Sequence, residues 1–225
     1  VLSLLFFINE EKDSVLKKLI INLIIISVLI ASSTSGAILA YIFASAYKYR
    51  RRITKTNTVL LMIIAILFII FLDFTNCQFI KKIISQLTLI SEHHNEIFSN
   101  VGLPYGEFIS KYGGMSTSGI WRLALWVKSI DILENAPILK LILGNGIGSS
   151  VGLLGILPHN DYLRILIEQG LIGLILTFSF YIVIYFRLDD KYRYIPLMFA
   201  FFSFTENNLD NILFMSLFIF FISTA

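Results

Sequence analysis

Sixteen consecutive residues, Leu171–Phe186, carry no charged side chain, and a second uncharged run, Thr58–Leu72, lies upstream. With its flanks, a run of this length can cross about 30 Å of hydrocarbon at roughly 1.5 Å per helical residue. Shorter apolar stretches at Leu19–Ala31, Ala37–Tyr47, Tyr194–Phe204 and Ile212–Ile222 add to the same pattern. The whole chain is 56% hydrophobic and 15% charged, where a soluble domain carries about 25% charged residues. That surplus of apolar surface needs lipid to face. The expected fold is therefore all-α, a polytopic transmembrane helical bundle in the lipid bilayer. A net charge of +3 makes no case for nucleic acid. Cys77 is the only cysteine, which excludes an intrachain disulfide. As a small hydrophobe it needs no further role.

The polar interruptions organise the chain. Val1–Ile8 is too short to span and reads as the tail of a helix, so the chain is expected to be the C-terminal portion of a longer protein. Asn9–Lys18 is a charged loop. Residues 1–72 then read as transmembrane helices broken at the corner Ser32–Gly36 (SSTSG), because clustered serine, threonine and glycine interrupt helical periodicity. Residues 73–158 form a long loop, and 159–225 the C-terminal transmembrane helices. Basic groups around Lys17, Arg51 and Lys191 belong in the cytoplasm by the positive-inside rule. Alternation then puts the SSTSG corner, the long loop and the corner Thr205–Asn211 (TENNLDN) on the opposite face.

Within the loop, Ile120, Leu123, Val127 and Ile130 fall at helical spacing on one face, and Arg122, Trp126 and Ser129 on another. The pattern predicts an amphipathic helix over about 119–135. Ser118 would cap it, and Pro137 ends it.

Several groups could carry chemistry, each with a plainer alternative. Gly144-x-Gly146-x-Gly148 lacks the strand and the Lys-Ser/Thr of a phosphate loop. A turn that lets backbone approach a ligand or a neighbouring helix suits it better. His159 follows Pro158 at the opening of a helix, where backbone N–H groups favour anions and disfavour an imidazolium. A neutral imidazole there can act as a general base; the alternative is an interfacial histidine that caps the helix or bonds a headgroup. His93 and His94 read as solvated loop residues, and no third ligand at metal spacing accompanies them. Asn160, Arg164 and Glu168 share one helical face, with Asp161 able to pair with Arg164. They form either a polar cavity wall or a charge ladder at the membrane boundary. Arg122, near Trp121 and Trp126, is either a headgroup-binding belt residue or a fork for a diphosphate. Glu206 and Asp210 read as solvated corner residues, and Asp189 and Asp190 fall on the cytoplasmic side.

Taken in order, Arg122-x3-Trp126, Gly144-x-Gly146-x-Gly148, His159-Asn160-x-x-Leu163 and Glu168-x-Gly170-x-x-Gly173 resemble the O-antigen ligase and O-antigen polymerase superfamily. The resemblance covers Trp121–Gly173. It implies a multi-pass enzyme of the bacterial inner membrane, an inverting glycosyltransferase that works on the outer face without metal or other cofactor. The implied donor is an undecaprenyl-diphosphate-linked glycan. The acceptor hydroxyl sits on another repeat unit (polymerase) or on lipid A core (ligase). A chain-length regulator is left open as a partner. His159 would deprotonate the acceptor and Arg122 would neutralise the departing diphosphate. Asn160, Arg164, Glu168, Trp126 and Gly146 would bind substrate. The family's Ser-Arg-Gly corner appears here as Thr34-Ser35-Gly36, without the arginine, and Arg164 is the candidate replacement. Polymerase is the first reading and ligase the second. A polysaccharide flippase, with broken helices lining a cavity, is the alternative from another class, and a non-catalytic scaffold the blandest.

Overall fold

The computed structural model describes residues 35–49, 104–112 and 118–223, with isolated positions at 25, 84, 85, 87, 88 and 91. Among the described residues every regular element is an α-helix. We number them α1 (Ser35–Tyr49), α2 (Tyr105–Tyr112), α3 (Ser118–Glu134), α4 (Ile138–Leu143), α5 (Ser149–Leu154), α6 (Asp161–Arg187), α7 (Tyr194–Phe202) and α8 (Ile212–Ser223). The chain divides into two compact units, one comprising 1–61 with 178–225 and the other 62–177. The runs Leu19–Ala31 and Thr58–Leu72, together with His93, His94, Cys77 and Thr34, fall almost wholly outside the described residues.

In the first unit α1 lies along α7. Gly36, Ala40 and Ala44 recur every four residues on α1, and all three are buried. Small side chains let two backbones approach closely, the usual way helices associate where lipid is as apolar as the helix surface. A Cβ on Gly36 would run into the Thr205 side chain, so the start of α1 and the turn after α7 meet at one end. At the other end of α1, the Lys48 ammonium sits 5.2 Å from the centre of the Tyr194 ring. The two helices are therefore antiparallel. Aromatic rings fill the rest. Phe199 packs on Phe218 and Phe214 at 4.2 and 4.5 Å between centroids, and Phe43 stacks on Phe201 at 5.0 Å. Pro196 is tolerated because it stands in the first turn of α7, where its missing N–H breaks no bond.

In the second unit α3 begins at Ser118 and ends at Glu134, and its C-terminal turn is closed by Asn135, which donates from both backbone and Nδ2 to Asp131 O. Pro137 heads α4, as its fixed φ suits a helix start. The face of α3 that is buried differs from the one the periodicity picks out. Ile120, Trp121, Ala124, Leu125 and Ser129 are buried, while Ile130 is 47% exposed. Ser129 is accommodated inside because its Oγ donates to Leu125 O at 2.7 Å, the back-bond available to serine within a helix.

Helix α6 is the one described helix long and apolar enough to cross a membrane. It is not continuous: Gly170 has φ 65° and ψ −165°, which no helix contains. Nine polar and mixed residues, Asp161–Gln169, thus precede the break, and the uncharged run predicted from Leu171 follows it.

Candidate functional site

The second unit holds Arg122, Trp126, Gly146, His159, Asn160, Arg164 and Glu168. Its centre is the turn Pro158–His159–Asn160, which leads into α6. Asn160 is 2% exposed, and its Oδ1 accepts the backbone N–H groups of Tyr162 and Leu163 at 3.0 and 3.1 Å. These are two of the orphan donors at a helix start, so Asn160 is an N-cap. What it can still offer a ligand is its Nδ2. Asp161 is fully buried in the first turn, where a carboxylate complements the helix dipole. It accepts from Arg164 Nη2 at 3.3 Å, the pairing that the three-residue spacing predicts.

His159 has φ +53°, the one described non-glycine residue in the left-handed region. Such a conformation persists only where the surroundings fix it. They do so here through α3. The Trp121 indole packs edge-on against the imidazole, 5.8 Å between centroids at 63°. Trp126 Nε1 donates to the carbonyl of Pro158 at 2.9 Å. Arg122 is half-buried, beside Trp121 in sequence and one turn before Trp126 on the same helix. The interval of four residues between Arg122 and Trp126 therefore puts the guanidinium stem on the side of α3 that reaches the Pro158–His159 turn. Trp126, expected to touch substrate, also props the turn through its bond to Pro158. Trp121, singled out only as Arg122's neighbour, is the ring that orients His159.

The glycine-rich segment docks on the break in α6. A residue with Gly170's angles cannot continue the helical ladder, so carbonyls just before it need other donors. Asn145 N and Asn145 Nδ2 donate to Ile167 O at 2.8 and 3.0 Å, and Gly146 N donates to Glu168 O at 2.9 Å. The approach is backbone to backbone. A Cβ on Gly144 would strike the Glu168 carbonyl, and one on Gly170 would lie 2.6 Å from Gly144 N. Gly144-x-Gly146 is thus a helix-docking turn. The Gly146 amide is used by Glu168 rather than held open for a phosphate.

Glu168 is 3% exposed and Ser150 is fully buried; the Ser150 hydroxyl donates to Glu168 Oε1. Sequence gives no hint of Ser150, which looks like any serine after a glycine turn. Glu206 and Asp210 belong to the other unit, in the turn between α7 and α8; Asp210 is exposed and Glu206 half-buried.

A histidine at positive φ, flanked by two indoles, stands at the start of the one described helix long and apolar enough to span a membrane, in a protein whose described elements are all helical. The chain belongs to the O-antigen ligase family (Wzy_C), whose pattern matches residues 20–178, the whole of this site included. Members of that family carry out O-antigen ligase- or polymerase-type glycan transfer in the membrane, on lipid-linked substrates, in polysaccharide and lipopolysaccharide biosynthesis. No curated protein and no solved structure matches the chain.

Proposed function

We propose that this protein is an inverting, metal-independent glycosyltransferase that polymerises undecaprenyl-diphosphate-linked repeat units of O-antigen or a similar surface polysaccharide. The work is done on the outer face of the inner membrane by a multi-pass helical bundle. One observation carries the reading: His159 is fixed against Trp121 next to the Arg122-bearing turn of α3. An imidazole nitrogen of His159 takes the proton of the acceptor hydroxyl as its oxygen attacks the anomeric carbon. The bond from that carbon to the diphosphate oxygen breaks, and its electron pair leaves with the lipid diphosphate. Arg122 offsets the charge that develops there. A single displacement inverts the anomeric centre. Asn160 Nδ2 orients substrate hydroxyls, and Arg164, paired with Asp161, supplies a second cation.

The sidedness follows from charge. Helix α6 starts beside His159 and ends at Arg187, with Lys191 and Arg193 just beyond. The positive-inside rule assigns that basic end to the cytoplasm and His159 to the outer side.

Ligase activity toward lipid A core is the second reading, favoured by the family's own description. Surface glycan length in cells carrying full-length His159→Ala, at normal abundance, separates the readings. Loss of a general base lowers the rate by about 10²–10⁴. Collapse of long chains to single capped repeats supports the polymerase. Free, unattached polymer supports the ligase. Unchanged length and attachment remove His159 from the mechanism and bring the flippase forward.

A further inference from the structure

We infer that Ser150 and Glu168 form a positioning latch for His159, and that Glu168 serves the reaction through this latch rather than by contacting substrate. The inference rests on His159 being the base.

The segment that carries His159 leaves the break in α6 and returns to the same helix at its first residue. Between Gly146 and Asn160 it must hold its shape across α5, whose ends are both left-handed glycines, Gly148 and Gly155. Glycine gives these corners their angles but makes them easy to deform. Ser150 lies inside this stretch, and its side chain is tied to α6. Its partner is doubly used: the Glu168 carbonyl accepts Gly146 N at 2.9 Å, and its carboxylate accepts the Ser150 hydroxyl. One residue of α6 thus fixes two points of the loop four residues apart. Trp126 holds the far end through Pro158 O at 2.9 Å. With both ends set, the left-handed backbone of His159 has one place to sit.

A carboxylate meant for a sugar would be presented to the site. Glu168 is 3% exposed and already accepts from a fully buried hydroxyl. Its chemistry fits an acceptor inside a frame.

The two roles separate on charge. A positioning acceptor needs an oxygen at Oε1, which glutamine supplies; a substrate-binding or proton-moving carboxylate needs the charge or the proton. The test uses the full chain in cells lacking the native copy, reading surface glycan formed per molecule in the membrane. Ser150→Ala and Glu168→Ala should each lower transfer by about 10²-fold, the effect of a small displacement of a reacting group. The double variant should be no worse than either single one, because both remove the same link. Glu168→Gln should stay within about tenfold of wild type, the difference between a charge-assisted and a neutral hydrogen bond. Glu168→Gln as inactive as Glu168→Ala overturns the inference, as does multiplication of the two alanine effects. Wild-type transfer by Ser150→Ala overturns it too. If the alanine variants fail to accumulate, Glu168→Gln alone decides: retained transfer supports the latch and loss refutes it. His159→Ala in the same assay keeps the questions apart. Activity there defeats the assignment of the base, whereas an inactive His159→Ala beside a fully active Ser150→Ala defeats only the latch.

Discussion

The two units hold their helices together by different means. In the first, α1, α7 and α8 meet through small residues and aromatic rings, with Phe199 touching both Phe214 and Phe218. In the second, the segment around the break in α6 is held by directed bonds: backbone amides to helix carbonyls, an indole to a carbonyl, a serine to a glutamate. Ring contacts are tolerant of small shifts, while hydrogen bonds lose strength steeply with angle and distance. Apart from the Tyr47–Tyr185 hydroxyl pair, the described frame of the first unit leans on such tolerant contacts, while directional bonding gathers where a side chain must be held to a fraction of an ångström. The difference is one of precision as much as of stability.

That contrast can be broken most forcefully at Gly170. Gly170→Ala meets both a positive φ and the backbone of Ile142 and Gly144, two separate sources of strain. It should cost about 4 kcal/mol or more, among the largest single-residue effects. Thermal unfolding in detergent should show the loss, and transfer should vanish with it. Next comes Phe199→Ala in the first unit, worth about 3 kcal/mol by the usual cost of emptying a buried aromatic site. Here the melting temperature should fall while transfer per folded molecule stays near wild type; equal loss of both would erase the distinction between the units. The smallest effect sharpens it. Asn160→Ala removes a cap worth about 1 kcal/mol, and Asn160→Asp, which keeps the accepting oxygen, should melt within a few tenths of a kcal/mol of wild type. If Asn160→Asp nevertheless loses transfer, the Nδ2 of Asn160 is what the substrate uses.

Much of the frame was readable in the residues. The helix expected over about 119–135 runs Ser118–Glu134, and the span expected over Leu171–Phe186, entered from His159, lies within Asp161–Arg187. Runs of uncharged residues and helical periodicity are local signals, so they survive without knowledge of the rest. Burial was less legible. Periodicity grouped Ile130 with Ile120 on the apolar face of α3 and put Ser129 on the polar one, yet Ile120 and Ser129 are buried and Ile130 is not. In a chain with lipid available, an apolar stripe no longer identifies the face that meets protein, and small polar residues are free to fill helix contacts. The break at Gly170 was written as a glycine, but its meaning depends on Asn145 and Gly146, some two dozen residues away. Ser150 carried no signal at all, because a buried partner 18 residues distant leaves no local pattern.

The chain has two tryptophans, and both stand on the turn that carries His159: Trp121 against its ring and Trp126 under the preceding carbonyl. Indole emission responds to polarity and to contact with an imidazolium. The tryptophan emission of these 225 residues therefore comes from within one side chain's reach of the proposed base. Arrival of a lipid diphosphate or an acceptor sugar at the proposed site should change that colour and intensity.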